Sequence, residues 1–368
     1  MSKFLKVPIS PLMGSNLINY IKIIISNKID INYILHVIIT LLIVILISPF
    51  QLFDKIIFLL KKKKNFDDPI FIIGHWRSGT TLLHNILCKN NKFGFFNTYN
   101  SLFINNIYSS ILFKTLMKYT MPKERPSDKI KLDVELPQED EFAVSNYTNI
   151  SHYNFFFFPN DYKKFYSEAI RFEKNNEKLW LSNYSDILNR IFHYTGKSKI
   201  IIKNPSNTAR IKSLLKKYPN AKFIHIYRNP IFVYLSTFKF FSELFPSVNL
   251  QNIDNETLKK LIIYNYKEIY RDYYNYKSLI PKGNLIELKF EDFRKNPSIY
   301  LKDIYKIIGI ELKKEDLNEL SIYLNNQKKH KMNTYTIDKK TLKKLYKELE
   351  FSFKKMNYSI PSNLNIIN

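Results

Sequence analysis

The hydrophobic pattern of the chain changes character near residue 65. Ile31 to Phe50 is almost continuously apolar, broken only by Asn32, His36, Thr40, Ser48 and Pro49. About 20 residues rising ~1.5 Å each are enough to cross a bilayer. The run starts too far from Met1 for a signal peptide, and no small-residue cleavage site follows it. Pro49 is expected to end this helix. Gln51 to Leu60 then runs amphipathically into the four lysines Lys61 to Lys64. A lysine block beside an apolar segment suits the headgroup region of a membrane, whether the helix spans or lies on it. The competing reading is a buried helical hairpin packed on the remainder of the chain.

From Asp67 onward, short apolar runs alternate with amphipathic stretches. Candidate strands are Pro69 to Gly74, Ser198 to Lys203, Lys222 to Tyr227 and Asn284 to Phe290. Between the middle two, the stretch from Thr208 to Tyr218 places Ile211, Leu214, Leu215 and Tyr218 on one helical face. Strand, helix, strand at this spacing is a βαβ unit, which predicts an α/β fold with a central parallel sheet flanked by helices. Residues 92–195 read as helical, irregular and rich in Phe and Tyr, a cap on the substrate side. Its run Phe155 to Phe158 reads as core packing or a pocket wall. The expected organisation is a membrane-associated segment over 1–64, a catalytic domain over 65–340 and a helical tail over 341–368.

A net charge of +25 resembles a nucleic-acid signal. The excess is nearly all lysine, in a chain whose favoured residues (Lys, Asn, Ile, Phe, Tyr) share A/T-rich codons. No interleaving of basic and aromatic residues on a recognisable nucleic-acid fold accompanies it. It therefore predicts a solvated surface with some attraction for anionic lipid or an acidic substrate, and no nucleic-acid partner. Only Arg77, Arg125, Arg171, Arg190, Arg210, Arg228, Arg271 and Arg294 are arginine. Where lysine is the default cation, an arginine marks a position needing the planar guanidinium fork. The single Cys88 excludes an internal disulfide and a cysteine zinc cluster, and the seven histidines show no zinc-binding spacing, so no metal is expected.

Two of the seven glycines, Gly74 and Gly79, bracket the turn from the first strand into an apolar helix. Strand, G-x-x-x-x-G turn and helix frame a P-loop-like phosphate site, where backbone N–H groups and the helix N-terminus face an anion. Arg77, Ser78, Thr80 and Thr81 lie in that frame. A Walker loop has lysine after its second glycine; this one has Thr80. The strand from Lys222 ends in Arg228, where a Walker-B strand would carry a magnesium-binding Asp, and Ser236 follows two turns into the next helix. Two anion sites without a metal carboxylate suit a nucleotide with separated phosphates. A P-loop kinase and a non-enzymatic basic membrane-surface protein are the rival readings.

Phe71 to Leu83, Tyr227-Arg228-Asn229-Pro230 with Ser236, and Pro137-Gln138-Glu139-Asp140-Glu141 together resemble the sulfotransferases that use 3′-phosphoadenosine 5′-phosphosulfate (PAPS). The similarity is greatest to the bacterial type, with an apolar N-terminal segment, a GHWRSGTT loop and a PQEDE motif. It implies transfer of a sulfuryl group to an acceptor hydroxyl on a glycan, a lipid or another alcohol, leaving PAP. Gly74, Arg77, Ser78, Gly79, Thr80 and Thr81 would hold the 5′-phosphosulfate; Arg228 and Ser236 would hold the 3′-phosphate. Phe290 to Phe293 matches a family segment near the adenine. Cytosolic sulfotransferases carry a histidine base in a K-T-H segment; Lys203-Asn204-Pro205 keeps the lysine without it. Glu139 is the preferred base, then Glu141, with His75 and His84 as alternatives; Lys203 would neutralise charge at the reacting group. Lys328 to Lys331 departs from the family's R-K-G ending. The expected setting is a membrane, with the catalytic domain on its cytoplasmic side.

Overall fold

The computed structural model describes residues 10–61, 67–121, 132–312 and 335–367; Lys62 to Lys64 and Lys328 to Lys331 lie outside them. The chain forms two compact units. One comprises Met1–Asp67, Phe93–Ile202 and Lys239–Leu261; the other comprises Asp68–Lys92, Lys203–Phe238 and Ile262–Asn368. The strands of the main sheet are β1 (Ile70–Ile73), β2 (Phe93–Phe95), β3 (Lys199–Lys203), β4 (Lys222–Tyr227) and β5 (Leu285–Lys289). A small pair, β6 (Thr336–Asp338) and β7 (Asn365–Ile367), follows late in the chain. All four strands expected from the sequence are present within a residue or two of their expected ends.

In the second unit β4 lies between β1 and β5, parallel to both, with Ile72 opposite Ile224 and Ile226 opposite Leu288. β1 is buried throughout, and the central residues of β4 are buried too. Continuous isoleucine and phenylalanine, rather than alternation, is what a parallel strand covered on both faces requires. In the first unit β2 pairs parallel with β3, Gly94 opposite Ile200. Gly94 is the residue that fits there, because a Cβ would lie 2.6 Å from the Thr195 hydroxyl oxygen. β2 escaped sequence reading: three residues give too little pattern. The expected helix between β3 and β4 is shorter than its apolar face, a 3-10 turn at Pro205–Thr208 and then an α-helix at Ile211–Lys217.

The N-terminal region of the first unit holds α1 (Leu17–Ile25) and α2 (Ile34–Leu60). α2 departs from expectation by running on through Pro49. Proline removes one hydrogen bond and crowds the preceding turn. The helix continues because both halves bury the same stripe on this unit: Thr40, Val44 and Ile47 before the proline, Gln51 and Asp54 after it. The described residues from 96 to 195 are mainly helical and rich in aromatic side chains, and Phe155 to Phe158 are buried core. Within the second unit, the helix Lys339–Met356 buries Leu345, Leu349 and Phe353, and Lys267 Nζ bonds Glu348 at 2.8 Å.

Candidate active site

At the C-terminal end of β1 the chain turns through Gly74 (φ +139°) and Gly79 (φ +105°) into α3 (Thr80–Leu87). Both glycines are required twice over. Their backbone angles are ones that L side chains rarely adopt. A Cβ on Gly74 would also lie 2.2 Å from the Ile226 carbonyl oxygen, and one on Gly79 2.3 Å from the Phe290 ring. The loop is thus wedged against the C-terminal end of β4 and the segment after β5. Gly74 N–H donates to Thr208 Oγ1 at 2.7 Å. Ser78 Oγ sits 2.8 Å from the His75 carbonyl and 2.9 Å from that of Ile226, while its N–H bonds the His75 carbonyl at 3.2 Å. Ser78 therefore shapes the loop with the groups the sequence assigned to an anion. α3 opens at Gly79 with no side-chain cap, so its first-turn N–H groups have no side-chain acceptor.

Arg77 is left-handed (φ +67°), an uncommon state for a residue with a Cβ. This turns its side chain back over the strand ends, where Nε donates to Ser236 Oγ at 2.9 Å. Arg228, at the end of β4, donates from Nη1 to the Arg77 carbonyl at 3.4 Å. Its guanidinium lies between the rings of Phe290 (4.8 Å) and Phe232 (5.4 Å). Burial pulls Arg228 below the usual arginine value; Tyr335 and Glu291 oppose the shift and neighbouring Arg77 adds to it. Among the described residues Arg228 makes no ion pair. Arg77, Arg228 and Ser236, the first and last 159 residues apart in sequence, thus converge at the C-terminal ends of adjacent parallel strands, the usual ligand crevice of an α/β sheet.

A second layer holds Arg228 in place. Asn229 accepts from Ile231 N–H at 3.0 Å, capping the helix Pro230–Val248, and donates to the Ser359 carbonyl at 2.8 Å. Glu291 accepts from Asn229 N–H at 3.4 Å and from Tyr358 OH at 2.5 Å. The sequence pointed to the Phe290 to Phe293 segment but gave no sign of Tyr358, a tyrosine among 26 in the chain. Lys203 is buried at the end of β3, where its charge depresses the basicity of His84, though burial of that histidine is the larger cause. His75 is buried against Tyr266 (ring centroids 5.0 Å), and burial lowers it to about 4. Both histidines are neutral near pH 7 and enclosed by protein.

In the first unit, the three carboxylates of the PQEDE motif take three different partners. Tyr153 OH donates to Glu139, which is partly exposed. Tyr184 OH donates to the buried Asp140 at 2.5 Å. Glu141, fully buried at the start of the helix Glu141–Tyr147, accepts from Ser151 Oγ and His152 N–H, both at 2.9 Å. Among the described residues no cluster of His, Cys, Asp or Glu could hold a metal ion.

A parallel α/β sheet and a glycine-bracketed loop opening a helix beside Arg77 and Arg228 define a protein of P-loop-like fold. A sequence model of the Sulfotransferase family matches residues 69–314, and the chain belongs to that family. Over 274 residues it is 30% identical to the omega-hydroxy-beta-dihydromenaquinone-9 sulfotransferases Stf3 of Mycobacterium bovis and Mycobacterium tuberculosis, spanning 74% of this chain and 70% of theirs. Its fold is similar to the crystal structure of sulfotransferase STF9 from Mycobacterium avium (TM-score 0.65, 14% identity), covering 85% of this chain and 82% of that one. It is also similar to that of STF1 from M. tuberculosis (TM-score 0.63, 14% identity), covering 84% and 88%. The protein is a sulfotransferase, with the central parallel sheet and flanking helices of that fold.

Proposed function

We propose that the donor is PAPS and that the acceptor is the hydroxyl of an apolar or lipid-linked alcohol presented at a membrane. The observation that carries the donor assignment is the convergence of Arg77, Ser236 and Arg228 beside an uncapped helix start. In this reading the first-turn N–H groups of α3, the Thr80 and Thr81 hydroxyls and Arg77 hold the 5′-phosphosulfate. Arg228, with Ser236, holds the 3′-phosphate. Gly74, Ser78 and Gly79 contribute by shaping the loop.

The acceptor oxygen forms a bond to sulfur as the bond from sulfur to the 5′-phosphate oxygen breaks, and PAP leaves. Arg77 and Lys203 stabilise the negative charge that moves onto the bridging oxygen. Glu139 takes the acceptor proton; its bond from Tyr153 fixes where the carboxylate points. Glu141 is fully buried with its Oε1 bonded by Ser151 and His152, which favours the partly exposed Glu139 over it. An apolar alcohol is supported by the Stf3 relatives, which are named for a hydroxylated menaquinone derivative. The membrane setting is supported by α2, long and apolar enough to cross a bilayer.

The test is transfer of ³⁵S from labelled PAPS to a membrane-lipid extract, with calorimetric binding of PAP and ATP compared. Binding of PAP in preference to ATP supports the donor assignment; equal binding, or turnover that requires Mg-ATP, refutes it.

A further inference from the structure

The distribution of exposed apolar residues is lopsided. Of the twenty-seven large hydrophobic side chains exposed among the described residues, twenty lie on three stretches of the first unit: α1, the Ile31–Leu60 segment and the helix Ser110–Thr120. The stretches are contiguous. Tyr20 OH on α1 donates to the Val37 carbonyl of α2 at 2.9 Å, and Phe50 of α2 meets Phe113 edge to face at 5.3 Å. Leu35, Leu42 and Leu46 on α2 extend outward with Ile25 on α1 and Ile111 and Leu112 on the third helix, all more than half exposed. Soluble monomers rarely expose an apolar patch of more than a few hundred Å².

α2 is about 40 Å long at ~1.5 Å per residue, enough to span. Its attachments argue against an upright position. Near its start, Tyr33 OH reaches Asn252 Oδ1 at 3.3 Å. In its second half, Gln51 Nε2 donates to the Ser15 carbonyl (3.1 Å) and to Asn106 Oδ1 (3.2 Å). Towards its end, the Asp54 carboxylate accepts the N–H groups of Tyr108 (2.6 Å) and Ser109 (3.0 Å), and Arg190 lies 4.6 Å from the Phe58 ring. The start and the second half are bonded to the rest of this unit, and Thr40, Val44 and Ile47 between them are buried on it. A helix so tied cannot cross hydrocarbon without drawing that unit's polar groups in with it, at a cost of several kcal/mol for each unsatisfied backbone group.

We propose that the protein is monotopic: α1, α2 and the helix Ser110–Thr120 together form a raft that lies in the plane of a bilayer with anionic headgroups, sunk on one face only. The charge pattern selects the occupant. Lysine is the only charged residue type exposed on these three helices, at Lys22, Lys55 and Lys118; the sole carboxylate, Asp54, is buried and bonded. Tyr119, on the same raft, is among the most exposed aromatics and suits the interface. This deepens the membrane setting proposed above and rests on that reading.

The experiment uses the full chain. In a Cys88→Ser background, Ile29→Cys and Lys61→Cys place single thiols at the two ends of the apolar segment. Sealed vesicles from a bacterial expression host are treated with a membrane-impermeant maleimide. Both sites labelled together, or both protected together, is the expected result; one labelled and one protected means that α2 spans, which overturns the proposal but leaves membrane attachment standing. Purified protein is also floated with phosphatidylcholine vesicles, with or without phosphatidylglycerol. Binding is expected to need phosphatidylglycerol, and Leu46→Glu with Leu112→Glu should weaken it by at least about tenfold. Failure to bind either vesicle, including elution as a dimer burying this face, overturns the membrane reading itself and the proposal with it.

Discussion

Replacing Arg228 with lysine keeps a positive charge at the end of β4 and removes the planar fork. The guanidinium lies between Phe290 and Phe232 at 4.8 and 5.4 Å, and each ring contact is worth ~0.5–1 kcal/mol. A lysine ammonium on a flexible stem stacks poorly in such a slot and meets a phosphate as a point charge rather than through two parallel N–H bonds. The ring contacts exist with or without nucleotide, so their loss lowers stability, while the lost charge-assisted hydrogen bond costs about 1.5–3 kcal/mol of binding, or roughly 10- to 150-fold in affinity for PAP. Calorimetry with PAP and with 5′-AMP separates the two phosphates, because only PAP carries the 3′ group. The expected result is the full loss for PAP and less than about twofold for 5′-AMP, with thermal unfolding lowered modestly by the lost ring contacts. Equal losses for both nucleotides would place Arg228 elsewhere than at the 3′-phosphate. No loss for either would sink the reading that the guanidinium geometry matters.

Gly74→Ala should destabilise by about 3 kcal/mol or more in urea unfolding, since its Cβ would meet the Ile226 carbonyl oxygen at 2.2 Å in a conformation already unfavourable to alanine; a loss below about 1 kcal/mol would refute that geometry. Glu139→Gln should leave PAP affinity intact and lower kcat by about 10²- to 10⁴-fold, whereas retained turnover moves the base to another group. Glu141→Gln should instead cost about 1–3 kcal/mol of stability through its bonds to Ser151 and His152, visible as a lower melting temperature. Acid should weaken the fold early. His75 is neutral in the folded protein down to about 4 while the unfolded chain takes up its proton near 6.5, so stability is lost as pH falls between those values. At about pH 5 the loss from His75 alone is ~2 kcal/mol. Burial lowers His84 and His225 as well, with the same sign, and equal urea midpoints at about pH 7.5 and 5 would contradict it.

β1 and β3 were legible because each is built on a short, uninterrupted apolar run, and a strand covered on both faces needs nothing subtler. The loop was legible because Gly74 and Gly79 stand out among only seven glycines, and the structure shows that each position tolerates no Cβ. Arg228 drew attention through the scarcity of arginine. Tyr358 and Phe232, which brace or flank it, carry no such mark, since aromatic residues occur throughout this chain. Pro49 misled in the opposite direction. Local rules end a helix there, whereas a stripe buried on both sides of the proline carries α2 to Leu60.

The sequence by itself determined four strands of the main sheet, the glycine-bracketed loop and the family, because these depend on residue type and on spacing along the chain. Tertiary structure decided that Ser78 bonds the carbonyls of His75 and Ile226, that Arg77 turns back to Ser236, and that Glu139 and Glu141 have different partners. It also decided which face of α2 is covered. Hydrogen bonds and burial are set by groups far apart in sequence, here 219 residues for Tyr33 and Asn252, and no local pattern encodes such a pairing.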